Sequence, residues 1–454
     1  MTSFSLSALT EQITPSRVIG NAQFSQLSTD TRSLQPGDLF VALVGPNFDG
    51  HEFIAQAQSQ GACAALVSTE IDTDLPQLVV PDTRVALGQL AQVKRQSLDG
   101  QVIAITGSSG KTTVKEMLKK VLSEAGQVEV TQGNLNNDVG VPLSLWNMHF
   151  GMDYRVLELG ANRQGDIAYT SRMTQADVAL LNNAQEAHLA GFGGIDGVAK
   201  AKGEIITGIT ESGQVVLNFD DQYFAQWRAM AGARRVWSFS LKQPAASVYA
   251  SHIQLTPKAC AFVMHVAGQE QHIKLPLLGE HNVANALAAA AVALALGLSL
   301  EQIARGLARV KPYQGRLAMH QLSRNRRVID DTYNANLGSV EAAIKVLQQQ
   351  PGQRCFILGD LAELGGQELA MHQRIGQQVA AAGIELFYGF GPLARAAIDS
   401  YQQQGGACGK AYTDKQDLSS CLAQLPTSDF SCLVKGSRAS QMERVVEQLI
   451  NGGN

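Results

Sequence analysis

The chain has 454 residues, of which 45% are hydrophobic and 17% are charged. At about 150 residues per domain this length predicts about three domains, and the composition excludes a disordered chain. There are 36 Lys and Arg against 40 Asp and Glu, so the net charge is −4, which excludes a general nucleic-acid coat but allows a local pocket for an anion.

The cysteines and the N-terminus bear on the compartment. Six cysteines are scattered without a CxxC pair, so neither a disulfide framework nor a zinc site is indicated. The first residues lack a basic start followed by an apolar core, and the longest apolar run, 286–296, is too short to span a bilayer. We expect a soluble cytoplasmic monomer that is not an integral membrane protein.

Residues 1–82 have the pattern of a small α/β domain. Apolar strands are predicted at 39–44, 64–67 and 78–80, with a helix through Ala55 and Ala57. Pro81, Asp82 and Thr83 supply a turn and a helix cap, so we place the first domain boundary after residue 82.

Residues 83–312 have the pattern of a larger sheet domain. Strands are predicted at 102–105, 128–130, 156–159 and 178–181. Because these apolar strands alternate with helices, we expect a parallel sheet that is buried on both faces. Strands such as 261–266 dominate from 215 to 277, two helices follow near 284–298 and 301–310, and Pro312 ends the pattern.

The remaining residues, 313–454, repeat the strand and helix alternation. Strands are predicted at 327–329, 355–358, 386–388 and 432–434. The sequence therefore predicts an α/β protein of three domains: a small N-terminal α/β domain, a central parallel-sheet P-loop ATPase domain and a C-terminal Rossmann-like domain.

The segment after the strand at 102–105 carries the strongest chemical signal. It reads TGSSGKTT from 106 to 113 and leads into a predicted helix. Its glycines let successive backbone N–H groups face one anion, while Lys111 reaches the outer phosphates and Thr112 ligates Mg²⁺. Relative to GxxxxGK[ST], Ile105 replaces the outer glycine, so the loop is a shortened variant. We therefore predict that this segment binds ATP or GTP, in preference to the interpretation that it is only a turn between a strand and a helix.

Further motifs occur in order along the chain. They are TQGNLNNDVGVP (131–142), ELGAN (158–162), NAQEAHL (183–189), AKGEI (201–205), GEHNVAN (279–285), GR (315–316) and DDTYNAN (330–336). With the loop, they resemble the Mur ligases. The resemblance implies an ATP- and Mg²⁺-dependent amide ligase of peptidoglycan precursor synthesis. Its implied substrates are UDP-N-acetylmuramoyl-tripeptide and D-Ala-D-Ala, joined through an acyl phosphate.

The resemblance also implies a nucleotide and metal site. Nucleotide contacts are expected from Gly107, Ser108, Ser109, Gly110, Lys111, Thr112, Thr113, Asn282 at the adenine, Arg316 at the γ-phosphate and Asp331 at the ribose. Metal ligands are expected from Thr112, Glu158, His188 and, if it is carbamylated, Lys202. Catalytic roles are expected for Lys111, His188, Lys202 and Arg316.

Each of these residues also has an ordinary structural interpretation. Glu158 and Asp331 are strand-end carboxylates, Asn282 suits a helix N-cap, and Arg316 suits a hinge salt bridge. A loop histidine such as His188 commonly only satisfies hydrogen bonds. The competing lysine for carbamylation is Lys200.

Two segments are candidates for the UDP-linked substrate. By the resemblance, Ser28, Thr29, Asp30 and Arg32 belong to a UDP-binding part, and Asn134, Asn136 and Asn137 orient the sugar or peptide. An ordinary turn and a tight amide-bonded loop remain the alternatives. The segment 435–438, KGSR, is a possible anion site. Its ligand is either the carboxylate of the dipeptide or the nucleotide, and the alternative is a solvated basic loop without a ligand.

Other functions share some of these features. A sister ligase that adds another amino acid, or folylpolyglutamate synthase, would have the same phosphate loop and the same kind of metal site. The segment 133–142 favours D-Ala-D-Ala, and the absence of Asp-Asn-Pro-Arg argues against a diaminopimelate-adding enzyme. A nucleotide-gated binding protein would need ATP but no acceptor amine.

Overall fold

The computed structural model describes residues 3–186, 189–323, 325–362, 366–413, 417, 425 and 429–451. Within these residues the strands form three large sheets in succession along the chain, besides two short strand pairs. The expectation of a three-domain α/β architecture is confirmed. In the described part of the chain, no helix is both long enough and apolar enough to cross a membrane.

The first sheet lies within the N-terminal 80 residues. The strands in this region are β1 Phe4–Ser5, β2 Arg17–Ile19, β3 Gln23–Phe24, β4 Leu27–Ser28, β5 Leu39–Val41, β6 Val44–Gly45, β7 Phe48–Asp49, β8 Ala64–Val67 and β9 Gln77–Val79. The helices are α1 Leu6–Leu9 and α2 Ile54–Ser59. The sheet has the order β2-β9-β8-β5-β4.

Two features of this sheet differ from the sequence prediction. Strand β5 ends at Val41, because the next residues pair with each other as β6 and β7. The strands before residue 38 are two or three residues long, which is too short for a periodic signal.

The central sheet runs from residue 101 to residue 275. Its strands are β10 Gln101–Thr106, β11 Val128–Val130, β12 Tyr154–Glu158, β13 Val178–Leu181, β14 Gln214–Asn218, β15 Val236–Ser240, β16 Val248–Leu255, β17 Cys260–Val266 and β18 Gln269–Leu275. The order is β11-β12-β10-β13-β14-β15-β16-β17-β18. Successive residues of β10 enter opposite hydrophobic cores, with Ile103 on one face and Ala104 on the other. The sheet is therefore buried on both faces, as expected.

The central sheet is parallel, as expected, except at one edge, where the strands predicted between 215 and 277 end the sheet. Strands β16, β17 and β18 pair antiparallel. Ala267 and Gly268, which join β17 to β18, both have positive φ, +50° and +81°, as a two-residue hairpin requires.

The helices around this sheet place the loop and the cleft. They are α3 Thr83–Ser97, α4 Lys111–Leu122, α5 Gly140–Trp146, α6 Asp166–Thr174, α7 Leu189–Phe192, α8 Ile195–Gly203, α9 Phe224–Met230, α10 Glu280–Ala295 and α11 Leu300–Ala308. Asp82 caps α3 by accepting from the backbone N–H groups of Arg84 and Val85. The alanine-rich α10 is packed into the central core and contacts α4.

The third sheet lies between residues 318 and 435. Its strands are β19 Ala318–Ser323, β20 Arg326–Asp331, β21 Gln353–Gly359, β22 Leu386–Phe390, β23 Cys408–Tyr412 and β24 Phe430–Lys435, in the order β19-β20-β24-β21-β22-β23. Its helices are α12 Leu337–Gln348, α13 Glu368–Ala381, α14 Pro392–Gln403 and α15 Glu443–Asn451. Only the β19–β20 pair is antiparallel among the described strand pairs of this sheet. Because β20 and β24 are parallel, Asp331 and Lys435 reach the same sheet edge.

Candidate nucleotide cleft

The phosphate-type loop lies at the carboxyl edge of the central sheet. Strand β10 is flanked by β12 and β13, and all three run in parallel into the same edge. In the loop that follows, the Lys111 ammonium donates to the carbonyl of Gly107 at 2.7 Å. Burial lowers the pKa of Lys111, the nearby Glu158 raises it, and Arg316 lowers it further. The loop thus presents a desolvated cation beside a helix N-terminus, an arrangement suited to phosphate.

A chain of buried amides fixes the back of this loop. The Asn182 side chain donates both to the Ser109 carbonyl and to Asn285 Oδ1, each at 3.0 Å. Asn285 in turn donates to Asn282 Oδ1 at 3.0 Å, and Asn282 donates to the Leu278 carbonyl at 2.8 Å. The predicted adenine residue is therefore connected by hydrogen bonds to the phosphate loop.

The close approach of these amides explains Gly110. Its φ is +82°, and a Cβ atom there would lie 2.5 Å from Asn285 Oδ1 and 2.6 Å from Asn182 Nδ2. Both the left-handed backbone and the lack of space require glycine at this position.

The segment after β13 holds the front of the loop. The Ser109 N–H donates to Asn183 Oδ1 at 2.9 Å, and the Ser109 hydroxyl donates to Gln185 Oε1 at 2.6 Å. Ser108 Oγ donates to the Gln185 carbonyl at 3.1 Å. Hydrogen bonds from the chain itself therefore hold the loop in this conformation.

The chemistry of Thr112 and Glu158 fits a divalent cation. Thr112 Oγ1 lies 3.3 Å from Glu158 Oε2. Glu158 is only 1% exposed, and its Oε1 is buried and accepts no hydrogen bond. Mg²⁺ prefers such hard oxygens and draws its other ligands from water and nucleotide phosphates. No cluster of three or more His, Cys, Asp or Glu residues that could hold a metal occurs among the described residues, and the predicted ligand His188 lies outside them.

Lys202 and its competitor Lys200 lie on opposite sides of α8. Lys202 is 3% exposed, whereas Lys200 is exposed to solvent. Burial lowers the pKa of Lys202 to about 7, Lys111 adds to the effect, and Glu204 and Asp166 oppose it. The neutral amine needed for reaction with CO₂ is therefore accessible near neutral pH at Lys202.

Arg316 enters the cleft from the C-terminal side. Its guanidinium carbon lies 4.1 Å from the ring centre of Tyr333, and its Nε is buried without a hydrogen-bond partner. The preceding Gly315 N–H donates to Asp330 Oδ2 at 3.1 Å. The stacked, incompletely bonded guanidinium suits an anionic ligand.

Asp331, which lies near enough to Arg316 for the two charges to interact, is paired with a lysine. Lys435 Nζ donates to Asp331 Oδ2 at 2.6 Å and to the Asn334 carbonyl at 3.0 Å. Burial raises the pKa of Asp331 and lowers that of Lys435, and their pairing opposes both shifts. In the same segment, Ser437 donates to the Asp360 carbonyl at 2.6 Å. Lys435 and Ser437 therefore have protein partners that hold the wall of the cleft together.

A cavity of about 470 Å³ lies between the phosphate loop and the C-terminal domain, and Lys111, Thr112, Glu158 and Lys202 are not among its lining residues. Ser109, Gly110, Thr113 and Asn282 line it from the central domain. His281, at the start of α10, also lines it from the central domain, and Arg316, Asp331 and Lys435 line it from the C-terminal domain. Burial lowers the pKa of His281 to about 4, with help from Lys435 and Lys345, so its ring is neutral at physiological pH. The volume is in the range typical of small-ligand pockets.

The predicted UDP segment is a surface turn. Ser28 Oγ donates to the Asp30 carbonyl at 2.9 Å, and Arg32 pairs with Asp30 at 2.6 Å. The Arg32 side chain is 87% exposed. Its guanidinium lowers the pKa of Asp30. Neither these residues nor Thr29 line the cavity described above.

The amides of the 131–142 segment have partly structural roles. Asn137 Oδ1 accepts from the Gly140 N–H at 2.7 Å, at the start of α5. Asn136 donates to Asn134 Oδ1 at 2.9 Å, and its carbonyl accepts from the Gly160 N–H at 2.7 Å. The segment thus runs beside the end of β12, where Glu158 lies two residues before Gly160.

The sequence prediction missed several residues that build the cleft. Asn182, Asn285, Gln185 and the buried Lys115 were given no role, and Lys435 had no assigned partner. For Lys115 a signal existed, since it follows Thr112 by three residues on α4 and so shares its face.

Known proteins resemble the chain over its whole length. Family models described as "Mur ligase family, catalytic domain", "Mur ligase middle domain" and "Mur ligase, glutamate ligase domain" match residues 23–95, 105–293 and 315–438. The chain is 44% identical over 455 residues to the UDP-N-acetylmuramoyl-tripeptide–D-alanyl-D-alanine ligase of Escherichia coli K12, with 100% of both chains covered.

Solved structures agree with this. A crystal structure of MurF from Acinetobacter baumannii is 38% identical, covers 99% of both chains and superposes with a TM-score of 0.92. The MurF ligase from Thermotoga maritima, solved in complex with ADP, is 28% identical, covers 94% of this chain and 97% of its own, and has a TM-score of 0.84. Family models and full-length relatives together make the chain a member of the Mur ligase family.

Proposed function

We propose that this chain is an ATP-dependent ligase that joins D-Ala-D-Ala to UDP-N-acetylmuramoyl-tripeptide in peptidoglycan precursor synthesis. The observation that carries the proposal is the shared cleft, in which Ser109 and Gly110 of the phosphate loop line one cavity together with Arg316 and Asp331. Relatives with this named activity support it. We further propose a cytoplasmic monomer with domains 1–82, 83–312 and 313–454.

The reaction needs two steps, because a carboxylate would have to expel oxide to acylate an amine. In the first step, an oxygen of the tripeptide carboxylate attacks the γ-phosphorus, the bond to the β-phosphate oxygen breaks, and ADP leaves. In the second step, the dipeptide amine attacks the acyl carbon, the acyl C–O bond breaks, and inorganic phosphate leaves with the electron pair. The amine nitrogen loses its proton to solvent.

The residues of the cleft have distinct roles in this scheme. Lys111 exchanges its bond to the Gly107 carbonyl for the phosphates and balances the charge that grows during phosphoryl transfer. Arg316, whose buried Nε–H has no hydrogen-bond partner, offers its guanidinium to the γ-phosphate from the C-terminal side. Asp331 binds the ribose and Asn282 lies at the adenine. Closure of the C-terminal domain then excludes water from the acyl phosphate.

Thr112 and Glu158 would hold Mg²⁺, and His188 and carbamylated Lys202 would hold a second ion. Bound there, the cations would neutralise phosphate oxygens and align them for in-line transfer. Carbamylation joins the neutral Lys202 amine to CO₂ and releases a proton, which converts a cation into an anionic oxygen ligand. The pKa of about 7 makes that amine available.

The substrate assignments complete the proposal. Ser28, Thr29, Asp30 and Arg32 contact the UDP moiety, and Asn134, Asn136 and Asn137 orient the sugar or peptide. The support for the first set is that the turn lies at the surface, with Arg32 largely exposed. The support for the second set is its position beside the end of β12.

The test is phosphate release and product mass with each substrate omitted in turn. We expect sustained phosphate release only with both UDP-N-acetylmuramoyl-tripeptide and D-Ala-D-Ala, and a product mass equal to their sum less one water. L-Ala-L-Ala serves as the matched control acceptor. Equal turnover without any acceptor would identify a nucleotide-gated binding protein. Turnover with a dipeptide substrate and a single amino acid would identify a sister ligase.

A further inference from the structure

Helix α4 contacts both oxygens of the Glu158 carboxylate. Thr112 approaches Oε2 at 3.3 Å, and Lys115, three residues later on the same face, approaches Oε1 with Nζ at 3.1 Å. Side chains three residues apart on a helix are neighbours, so one helix face can hold one carboxylate at both edges. The orientation of Glu158 is therefore set by α4.

Lys115 is one of several lysines with almost no solvent exposure. It is 1% exposed, and its ammonium donates to the Thr131 carbonyl at 2.8 Å and lies 3.7 Å from Glu116 Oε1. A buried ammonium is costly unless it is paired and hydrogen-bonded, which Thr131 and Glu158 accomplish here. No part of the reaction scheme above uses this residue.

The contact between Lys115 and Glu158 is an ion pair without a hydrogen bond. Lys115 Nζ lies 3.1 Å from Glu158 Oε1, yet that oxygen accepts no hydrogen bond, so the attraction is Coulombic. The opposite oxygen, Oε2, faces the Thr112 hydroxyl.

Lys115 also connects this carboxylate to the substrate segment. Thr131, whose carbonyl it binds, begins the TQGNLNND run and accepts from the Glu158 N–H through Oγ1 at 3.2 Å. The same run bonds through the Asn136 carbonyl to Gly160, two residues beyond Glu158. One ammonium thus ties the end of β12 to the start of the 131–142 segment.

Resting on the proposed function, in which Glu158 is a metal ligand, we infer that Lys115 is a positioning residue. It holds the Glu158 carboxylate in the orientation that faces Thr112. It also fixes the position of the 131–142 segment relative to Glu158 through its bond to Thr131. Outer partners of metal ligands commonly contribute about 10–100-fold to metal affinity through such orientation.

Electrostatics alone predicts the opposite result, which makes the inference sharp. Removing a positive charge that lies 3.1 Å from the carboxylate would by itself tighten cation binding. Positioning predicts weaker binding, because the carboxylate would be free to rotate away from Thr112.

The experiment measures Mn²⁺ binding by electron paramagnetic resonance on the full chain with a non-hydrolysable ATP analogue. We expect Lys115→Met to raise the Mn²⁺ dissociation constant about tenfold. Lys115→Gln is the second variant, for use if Lys115→Met fails to fold, because its amide keeps a donor for the Thr131 carbonyl. We expect the same weakening of Mn²⁺ binding in it. Binding as tight as in the wild-type chain, or tighter, in a folded variant would overturn the inference.

Two control lysines separate positioning from general loss of stability. Lys94→Met removes another buried lysine, 3% exposed and with Nζ 4.2 Å from the Phe150 ring centre, and Lys119→Met alters the next turn of α4. Neither substitution should shift Mn²⁺ affinity. If either weakens it as much as Lys115→Met does, the inference fails.

Glu158→Ala distinguishes failure of the inference from failure of the proposed site. If Glu158→Ala leaves Mn²⁺ affinity unchanged, the metal role of Glu158 is wrong. If it weakens binding and Lys115→Met does not, only the role of Lys115 is wrong. If both weaken binding, the double variant should be no weaker than Glu158→Ala, because Lys115 acts through Glu158.

Discussion

The nucleotide cleft and the 28–32 turn satisfy their polar groups in different ways. In the cleft, buried amides and ion pairs from distant parts of the chain bond to one another, as in the Asn182–Asn285 and Asp331–Lys435 contacts. In the turn, Ser28, Asp30 and Arg32 bond mainly to each other, and Arg32 is largely in solvent. The cleft is therefore preorganised by contacts between distant segments, whereas the turn is held by local bonds among its own residues.

This contrast predicts that substitutions in the cleft cost far more than those in the turn. The largest effect is expected for Lys111→Ala, which removes the cation that balances charge in phosphoryl transfer. We expect kcat to fall by about 10²–10³-fold. The measurement is steady-state phosphate release. Lys120→Ala, on the exposed side of the same helix, is the control, and a near-normal rate in Lys111→Ala would refute the loop assignment.

A smaller but still large effect is expected for Lys202→Ala. Loss of an anionic metal ligand should lower turnover by about 10–100-fold, with partial rescue by short carboxylic acids. Lys200→Ala on the exposed side of α8 should retain full activity. Equal losses in the two variants would contradict the assignment to Lys202.

The pKa of Lys202 predicts the pH dependence of its modification. Because the folded-state pKa is lowered to about 7, the reactive neutral amine predominates above pH 7 and is lost as the pH falls through that value. A carbamate signal in ¹³C NMR with labelled bicarbonate should therefore grow between pH 6 and pH 8. A signal that is constant over this range, or that is retained in Lys202→Ala, would contradict this prediction.

An intermediate effect is expected for the amide chain behind the loop. Asn285→Leu leaves the Asn182 amide without one acceptor, which costs about 1–3 kcal/mol for a buried group. We expect KM for ATP to rise about tenfold with a smaller change in kcat. Gln77→Leu removes a buried amide of the N-terminal domain and is the matched control, since it should lower Tm but not alter KM for ATP.

The smallest effect is expected in the turn. Arg32→Ala should raise KM for UDP-N-acetylmuramoyl-tripeptide about three- to tenfold, through loss of one exposed charged contact, and leave kcat and Tm unchanged. Arg17→Ala breaks a comparable surface pair with Glu70 and should leave KM, kcat and Tm unchanged. An unchanged KM in Arg32→Ala would favour the ordinary-turn interpretation.

Some features could be predicted from local sequence because they are encoded in consecutive residues. The TGSSGKTT segment lies between an apolar strand and a helix, and both elements form where the pattern places them. The buried strands of the central sheet likewise follow from unbroken apolar runs, since a strand covered on both faces has no polar side.

Other features depend on contacts that no local pattern reports. The antiparallel edge of the central sheet depends on which strands pair after the chain turns at residues 267 and 268. Asn182 and Asn285 are 103 residues apart, and Asp331 and Lys435 are 104 residues apart. The side of α8 that is buried, which separates Lys202 from Lys200, also depends on packing.

The sequence by itself determined the order of the three domains, the phosphate loop and the family, because each depends on residue types at short or fixed spacings. Tertiary structure alone decided which polar groups share a desolvated environment. Packing places Lys115 beside Glu158 and connects Asn282 to the phosphate loop through Asn285. It also lowers the pKa of Lys202 to about 7. The physical reason is that burial and pairing strengthen or shift a charged group only when distant segments exclude water from it.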